Sequence, residues 1–252
     1  MTAPADSSTQ KAHATDPRQG MFASIAPWYD FLNRTLSLGL DLYWRRRLIQ
    51  ALDPGPGESI LDLAAGTLDV SLGLLRQEPG CRVWAADISL PMLLRGQKKL
   101  RGRQGSLQGI CSDAKNIPLS RESMHKAGIA FGIRNIQPRQ QAYAQILQIL
   151  KPGGRLAVLE FGSGRARIWR GLYNLYLQRV LPWVGRVVSK DPQAYSYLAR
   201  SILEFPSALE LAAELQEAGF CDISHQALTS GIVNIHLAHK PESAPPGRRR
   251  PV

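Results

Sequence analysis

Residues 59–69 read SILDLAAGTLD, and together with Asp87 downstream they decide the fold. Ile60, Leu61, Leu63 and Ala64 make a short apolar run, the pattern of a buried strand. The run stops in a turn of small residues, Ala64, Ala65, Gly66 and Thr67, and a helical spacing of apolar residues follows at Val70, Leu72, Leu74 and Leu75. A second strand is expected over 81–86, CRVWAA, ending against Asp87. A strand, tight turn, helix and strand closed by an acid about 20 residues on is the layout that grips a nucleoside, the acid taking the ribose hydroxyls. The turn holds a single glycine, Gly66, and no P-loop lysine follows. It therefore serves a pyrophosphate poorly. A nucleoside without phosphates fits better, and S-adenosyl-L-methionine is the expected cofactor.

Outward from this unit, strands are expected at 59–64, 81–86, 107–112, 127–131 and 154–161, with helices between them at 69–77, 90–101 and 138–150. Lys151, Pro152, Gly153 and Gly154 read as a turn. Two helical stretches, 22–36 and 41–52, lead in to the first strand. The alternation predicts an α/β chain with a parallel sheet covered by helices on both faces. It breaks at 165–205, read as a helical insertion. It resumes with a helix at 208–218, a stop at Gly219, and strands at 221–228 and 231–238 around Thr229, Ser230 and Gly231. That last pair places one antiparallel strand in a mostly parallel, Rossmann-like sheet of seven. The polar stretches 1–19 and 241–252 read as disordered tails, leaving a single domain over 20–240.

The 252 residues include 44% hydrophobic and 20% charged residues, ordinary for a globular chain with one sizeable core. The net charge of +11 is not ordinary, and draws the chain toward a polyanion, whether nucleic acid or an anionic membrane surface, unless it serves solubility alone. Cys81, Cys111 and Cys221 are widely spaced and lack metal-ligand spacing, so buried, reduced thiols in a cytoplasmic protein and no metal site are expected. No apolar stretch reaches the length of a membrane span, and the N-terminal stretch lacks the apolar core of a signal peptide.

Three acids stand where strands end. Asp62, beside the turn, could face a cationic amino group, or cap the following helix, a task for which Asp69 is better placed. Asp87 stands at the crevice side of the sheet; its plainer reading is again a helix cap, which Ser89 could supply. Asp113 could accept from an adenine amino group, with Ala114 offering a backbone N–H, or could be a turn aspartate.

The run Ala130-Phe131-Gly132-Ile133-Arg134-Asn135 ends the fourth strand. MFASIAPWYDFLN, the DLAAGT turn, AFGIRN, LKPGGRLAVLEF and a late SGIV with a following His occur in that order. In this the chain resembles the ubiquinone/menaquinone biosynthesis C-methyltransferase family over about 21–240. The resemblance implies a class I S-adenosylmethionine-dependent fold that methylates a ring carbon of a polyprenylated benzoquinol or naphthoquinol, demethylmenaquinol being favoured. It carries cofactor contacts onto Thr67, Asp87, Asp113 with Ala114, and Ala130, beside the turn residues Asp62 and Gly66. The sequence departs from the family at three places. Leu68 replaces a second turn glycine, adding bulk where the methionine end of the cofactor would pass. Met124-His125 replaces a phenylalanine–aspartate pair, and Trp28 stands where an arginine is usual.

For the transfer itself, Arg134 and Asn135 are expected to orient a ring hydroxyl and stabilise its developing charge, with Tyr29 as a further hydrogen-bond partner. An arginine stays protonated, so Arg134 is not expected to be the base. His236 titrates in the right range, although a lone strand histidine is more often structural. Residues 165–190 carry six basic residues, no acids, and Trp169, Tyr173, Tyr176 and Trp183. Beside a solvated basic helix face, they read as an interfacial element at an anionic membrane surface. The rival readings are an RNA methyltransferase, against which stands the lack of a base-flipping motif, and a family member without catalysis that acts as a scaffold or lipid binder. No nucleic-acid partner is expected; a homo-oligomer is left open.

Overall fold

The computed structural model describes residues 28–100, 106–162 and 200–242, together with 20 and 26. The expected tails and the insertion at 165–205 lie outside these, except for 200–205, of which 200–203 are helical, and 241–242. Two short helices, α1 (Tyr29–Leu36) and α2 (Leu40–Leu52), precede β1 (Ser59–Leu63). Then follow α3 (Asp69–Gln77), β2 (Arg82–Asp87), α4 (Leu90–Gln97), β3 (Leu107–Cys111), β4 (Met124–Ala130), α5 (Arg139–Ile149), β5 (Leu150–Phe161), α6 (Ala208–Glu217), β6 (Cys221–Leu228) and β7 (Val233–His239).

The strands form one seven-stranded sheet in the order β3-β2-β1-β4-β5-β7-β6. β7 runs antiparallel to both neighbours and every other pairing is parallel. Thr229–Gly231, as expected, is the short turn that reverses the chain between β6 and β7. One expectation fails. Residues 151–154 are not a free turn but part of β5, which begins at Leu150. Gly153 N–H donates to the Lys240 carbonyl and Lys240 N–H to that of Gly154, so the segment continues the sheet past the end of β7. Gly153, at φ +71°, makes the bend, and the β4–β5 register shifts between Met124 and Lys126.

All five residues of β1 are buried, because both faces of a central parallel strand are covered. The strand period of two divides them: Ile60 joins one core with Trp44, Leu48 and Leu52 of α2 and Leu74 of α3. Leu61 and Leu63 join the other with Tyr143 and Ile146 of α5 and Leu211 and Leu215 of α6. The two cores hold the strand ends rigidly, each fully buried Leu or Ile contributing about 1.5–3 kcal/mol. The structure buries Cys81, as expected, but leaves Cys111 exposed and Cys221 half-buried. No helix among the described residues is long and apolar enough to cross a membrane.

Candidate active site

β1 pairs with β2 on one side and with β4 on the other, so the helices after them leave on opposite faces and open a crevice at the carboxyl ends of the strands. A cleft lies there. Its walls come from the β1 turn (Ala64, Gly66), the β2 end (Asp87, Ile88), the loop after β3 (Ser112, Asp113, Ala114), the β4 end (Ala130 to Gly132), and Asn135 and Tyr29. Ala64 and Phe131, at φ 55° and 58°, hold left-handed conformations that cost L-residues about 1–2 kcal/mol each. The two turns meet closely. A Cβ on Gly132 would stand 2.4 Å from that of Ala64, so any larger residue would force the crevice walls apart.

Asp87 lines this cleft, each of its oxygens held by a backbone donor: Gly66 N–H at 2.8 Å to Oδ2 and Ser89 N–H at 2.8 Å to Oδ1. Each oxygen keeps a second acceptor site for a ligand hydroxyl. Burial pushes the carboxyl up, opposed by the N–H groups of Ser89, Gly66 and Ile88. Ser89, which could have capped α4, makes no side-chain capping bond, and Asp87 accepts from the N–H of Ser89 itself, ahead of the helix.

Asp62 is elsewhere. It is 1% exposed, and its Oδ2 accepts from Ser71 N–H at 2.9 Å and from the Ser71 hydroxyl, in the first turn of α3. The capping reading holds for Asp62, which meets one of the unpaired helix donors. It does not line the cleft. Burial raises its carboxyl to about 7, against the Ser71 bonds and Arg45. A carboxyl raised on folding favours the folded chain below its free value of about 4 and loses that contribution as pH climbs through its folded value. Thermal stability is therefore expected to carry a declining component between about pH 4 and about pH 7. Asp62→Asn, which keeps an acceptor for Ser71, should flatten that component, worth up to a few kcal/mol. Identical slopes for the two proteins in melting temperature against pH would refute this.

Thr67 is also turned away from the cleft. It is 2% exposed, and its hydroxyl donates to Asp30 of α1. Asp30 pairs with Lys99 at 2.6 Å, Lys99 with Asp69 at 3.0 Å, and Asp69 with Arg34 at 3.0 Å. Burial drives the Asp69 carboxyl up, but Arg45, Lys99 and Arg34 outweigh it and hold it below the usual range. Asp69 thus joins an ionic network fastening α1 to the cofactor turn. That network keeps Tyr29, next to Asp30, at the cleft wall. Asp30 went unremarked in the sequence, its partners lying far along the chain.

Arg134 and Asn135 occupy a 3-10 turn, Ile133–Asn135, directly after β4. Asn135 lines the cleft, whereas the Arg134 guanidinium folds back: Nη1 donates to the Phe131 carbonyl and to Glu160 Oε1, each at 2.7 Å. Glu160, 1% exposed, was overlooked, although an acid within the apolar strand LAVLEF demands a partner. Asp113 is partly occupied by Lys115, whose N–H bonds Oδ1 at 2.9 Å and whose Nζ lies 3.4 Å from Oδ2. Both still face the cleft beside the buried Ala114.

The departures from the family pattern do not obstruct the cleft. Leu68, at φ 67° and fully buried, packs against Gly96 of α4, where a Cβ would stand 2.4 Å from its Cγ. Its bulk therefore enters the core, correcting the expected intrusion on the cofactor's path. His125 sits at the far end of β4, its Nδ1 accepting from Ser59 N–H at 2.9 Å and its Nε2 2.8 Å from Lys151 Nζ. Trp28 precedes α1 and is 61% exposed. His236 lies away from the cleft, its Nε2 2.9 Å from the Ala208 carbonyl, which it must meet as a donor. Burial lowers its pKa to about 4 despite that bond, leaving it neutral and structural.

The cleft suits an adenosine with a sulfonium side arm: a carboxylate for ribose, apolar Ile88 and Met92 for a base, and a buried Ser112 hydroxyl without a protein partner among the described residues. Among the described residues no cluster of His, Cys, Asp and Glu could hold a metal. SAM-dependent methyltransferases from Thermotoga maritima and Aquifex aeolicus superpose with TM-scores of 0.64 and 0.58, covering 88% and 86% of this chain and 99% and 97% of theirs. At 16% and 15% identity they show the fold, that of class I methyltransferases. Sequence relatives are much nearer. The demethylmenaquinone methyltransferase of Paenarthrobacter aurescens is 40% identical over 222 residues, 88% of this chain and 85% of that protein. The ubiquinone/menaquinone biosynthesis C-methyltransferase UbiE of Geobacter sulfurreducens is 40% identical over 223 residues, 87% of each. A family model described as "ubiE/COQ5 methyltransferase family" matches residues 9–240, and the chain belongs to that family.

Proposed function

We propose that the chain methylates a ring carbon of a polyprenylated quinol in respiratory quinone biosynthesis, with demethylmenaquinol as the acceptor and S-adenosyl-L-methionine as the methyl donor. The observation that carries this reading is Asp87, held by two backbone N–H groups in a cleft that Tyr29 and Asn135 also line, in a member of a quinone methyltransferase family. The cofactor, when bound, supplies an electrophilic methyl group on sulfur. Asp87 would hold the ribose hydroxyls, Gly66, Asp113, Ala114 and Ala130 would shape the nucleoside end, and the Asp62 and Thr67 contacts would act through the turn. Tyr29 and Asn135 would orient the ring hydroxyl and stabilise its charge as it loses a proton, which activates the neighbouring carbon, while Arg134, turned onto Phe131 and Glu160, would hold the turn that carries Asn135. The two departures that spoke for a non-catalytic scaffold, Leu68 and His125, both lie off the cleft. Incubating the protein with demethylmenaquinol and labelled S-adenosyl-L-methionine tests the reading. Transfer of one labelled methyl group to the ring supports it, and transfer to structured RNA instead would overturn it.

The substrate's prenyl chain belongs in a membrane, so the chain is proposed to work at its cytoplasmic surface. The sequence of 165–190 supports this, with six basic residues, no acids and four Trp and Tyr side chains. Vesicle binding is expected to rise with anionic lipid and weaken with salt. Replacing Arg167, Arg170 and Arg179 with Gln should weaken partitioning by about 3 kcal/mol, at about 1 kcal/mol per residue. S-adenosyl-L-methionine affinity should stay unchanged. Equal binding to neutral and anionic vesicles would defeat the proposal.

A further inference from the structure

Glu160 ends β5 in a position where a carboxylate is costly, 1% exposed and flanked by Leu159 and Phe161. All of its described bonds serve one purpose. Oε1 accepts from Arg134 Nη1 at 2.7 Å and from Phe161 N–H at 3.0 Å, and Oε2 takes a long contact, 3.4 Å, from the Arg134 backbone N–H. Arg134 is gripped at both its backbone and its side chain by one carboxylate on the neighbouring strand. Its guanidinium also lies 5.4 Å over the Phe161 ring, and the same Nη1 closes back on the Phe131 carbonyl. Phe131 is the left-handed residue of the turn, and its N–H is fixed by the Leu159 carbonyl at 2.8 Å. The turn that carries Phe131, Gly132 and Asn135 into the cleft is therefore fastened to β5 through Glu160.

Arg134 Nε is buried and without a hydrogen-bond partner among the described residues, although Nη1 is closely held. We infer that Glu160 is a positioning residue for methyl transfer: through the Arg134 guanidinium it fixes the turn that carries Asn135 in the geometry that receives the oxygen of the acceptor ring. This rests on the quinol reading above. Glu160 acts through Arg134 and the turn, and does not itself line the cleft. Its effect belongs to the oxygen whose charge grows during transfer, so it should show in kcat and not in cofactor affinity.

The test compares wild type, Glu160→Gln, Glu160→Asp and the double variant Arg134→Gln/Glu160→Gln. Each is assayed with a short-chain demethylmenaquinol for kcat and KM, with S-adenosylhomocysteine for affinity by calorimetry, and for melting temperature. Glu160→Gln keeps the shape and loses the charge. Its kcat is expected to fall about a hundredfold, the scale of a mispositioned donor, while S-adenosylhomocysteine affinity stays within about twofold. Glu160→Asp retains the charge and should recover part of kcat. The double variant removes both buried charges together, so its melting temperature should return toward wild type while kcat stays low. Recovery of kcat along with stability in the double variant would make the pair merely structural and overturn the inference, as would a folded Glu160→Gln with wild-type kcat. If wild type itself transfers no methyl group to the quinol, the functional reading fails first, a result separate from any difference among the variants.

Discussion

Asp87→Ala is expected to lower affinity for S-adenosyl-L-methionine about a hundredfold, since two hydrogen bonds to a charged group, about 1.5–3 kcal/mol each before compensation, are lost together. Asn offers little rescue. It must turn its NH2 toward either Gly66 N–H or Ser89 N–H, which both donate to the carboxylate at 2.8 Å. One backbone donor then loses its acceptor, and the turn opposite α4 loosens. Acid should also weaken binding, because the buried carboxyl takes up its proton above the ordinary range and only the ionised form can accept from both hydroxyls. Calorimetric dissociation constants of Asp87→Ala and Asp87→Asn, with circular dichroism to confirm folding, check this. An affinity unchanged in both would put the nucleoside elsewhere.

Asn135→Ala is expected to lower kcat by about 10²–10³, the usual loss of one donor to a developing oxyanion, and Arg134→Ala to lower it as well, through the turn that carries Asn135. Cofactor affinity should change less than about threefold, as neither residue is assigned to the nucleoside end of the cleft. The two variants differ in stability. Arg134→Ala strands Glu160, whose described side-chain partner is Arg134, and an uncompensated buried charge costs about 3–5 kcal/mol. Asn135→Ala leaves no charge behind and is the cleaner probe. Single-turnover rates beside dissociation constants separate the two roles, and losses of equal size in both quantities would move the pair into the cofactor pocket.

Much of the architecture was readable because it depends on local signals. The expected strand at 59–64 is β1 to within a residue, since an apolar run between a Pro-Gly stretch and a small-residue turn permits little else. β7 could be foreseen as antiparallel, because three residues at Thr229–Gly231 are too few for a crossover to a parallel neighbour. The limit showed at β5. A Lys-Pro-Gly-Gly run signals a turn locally, and only the pairing of Gly153 and Gly154 with Lys240, nearly ninety positions away, drew it into the sheet.

For the site, the chain by itself determined which residues stand at the carboxyl ends of the strands, and so which can reach a ligand. Tyr29, Gly66, Asp87, Asp113, Ala114, Ala130 and Asn135 all line one cleft. Only the tertiary structure decided which polar side chains face it. Asp62, Thr67 and Arg134 are adjacent to the cleft in sequence, yet bond Ser71, Asp30 and Glu160, and Leu68 finds its space against Gly96 and not in the cleft. Periodicity reports which face of an element is buried. The partner of a buried polar group is set by which helices and strands the packing brings against that face, and a group that cannot remain unpaired takes the partner that packing offers.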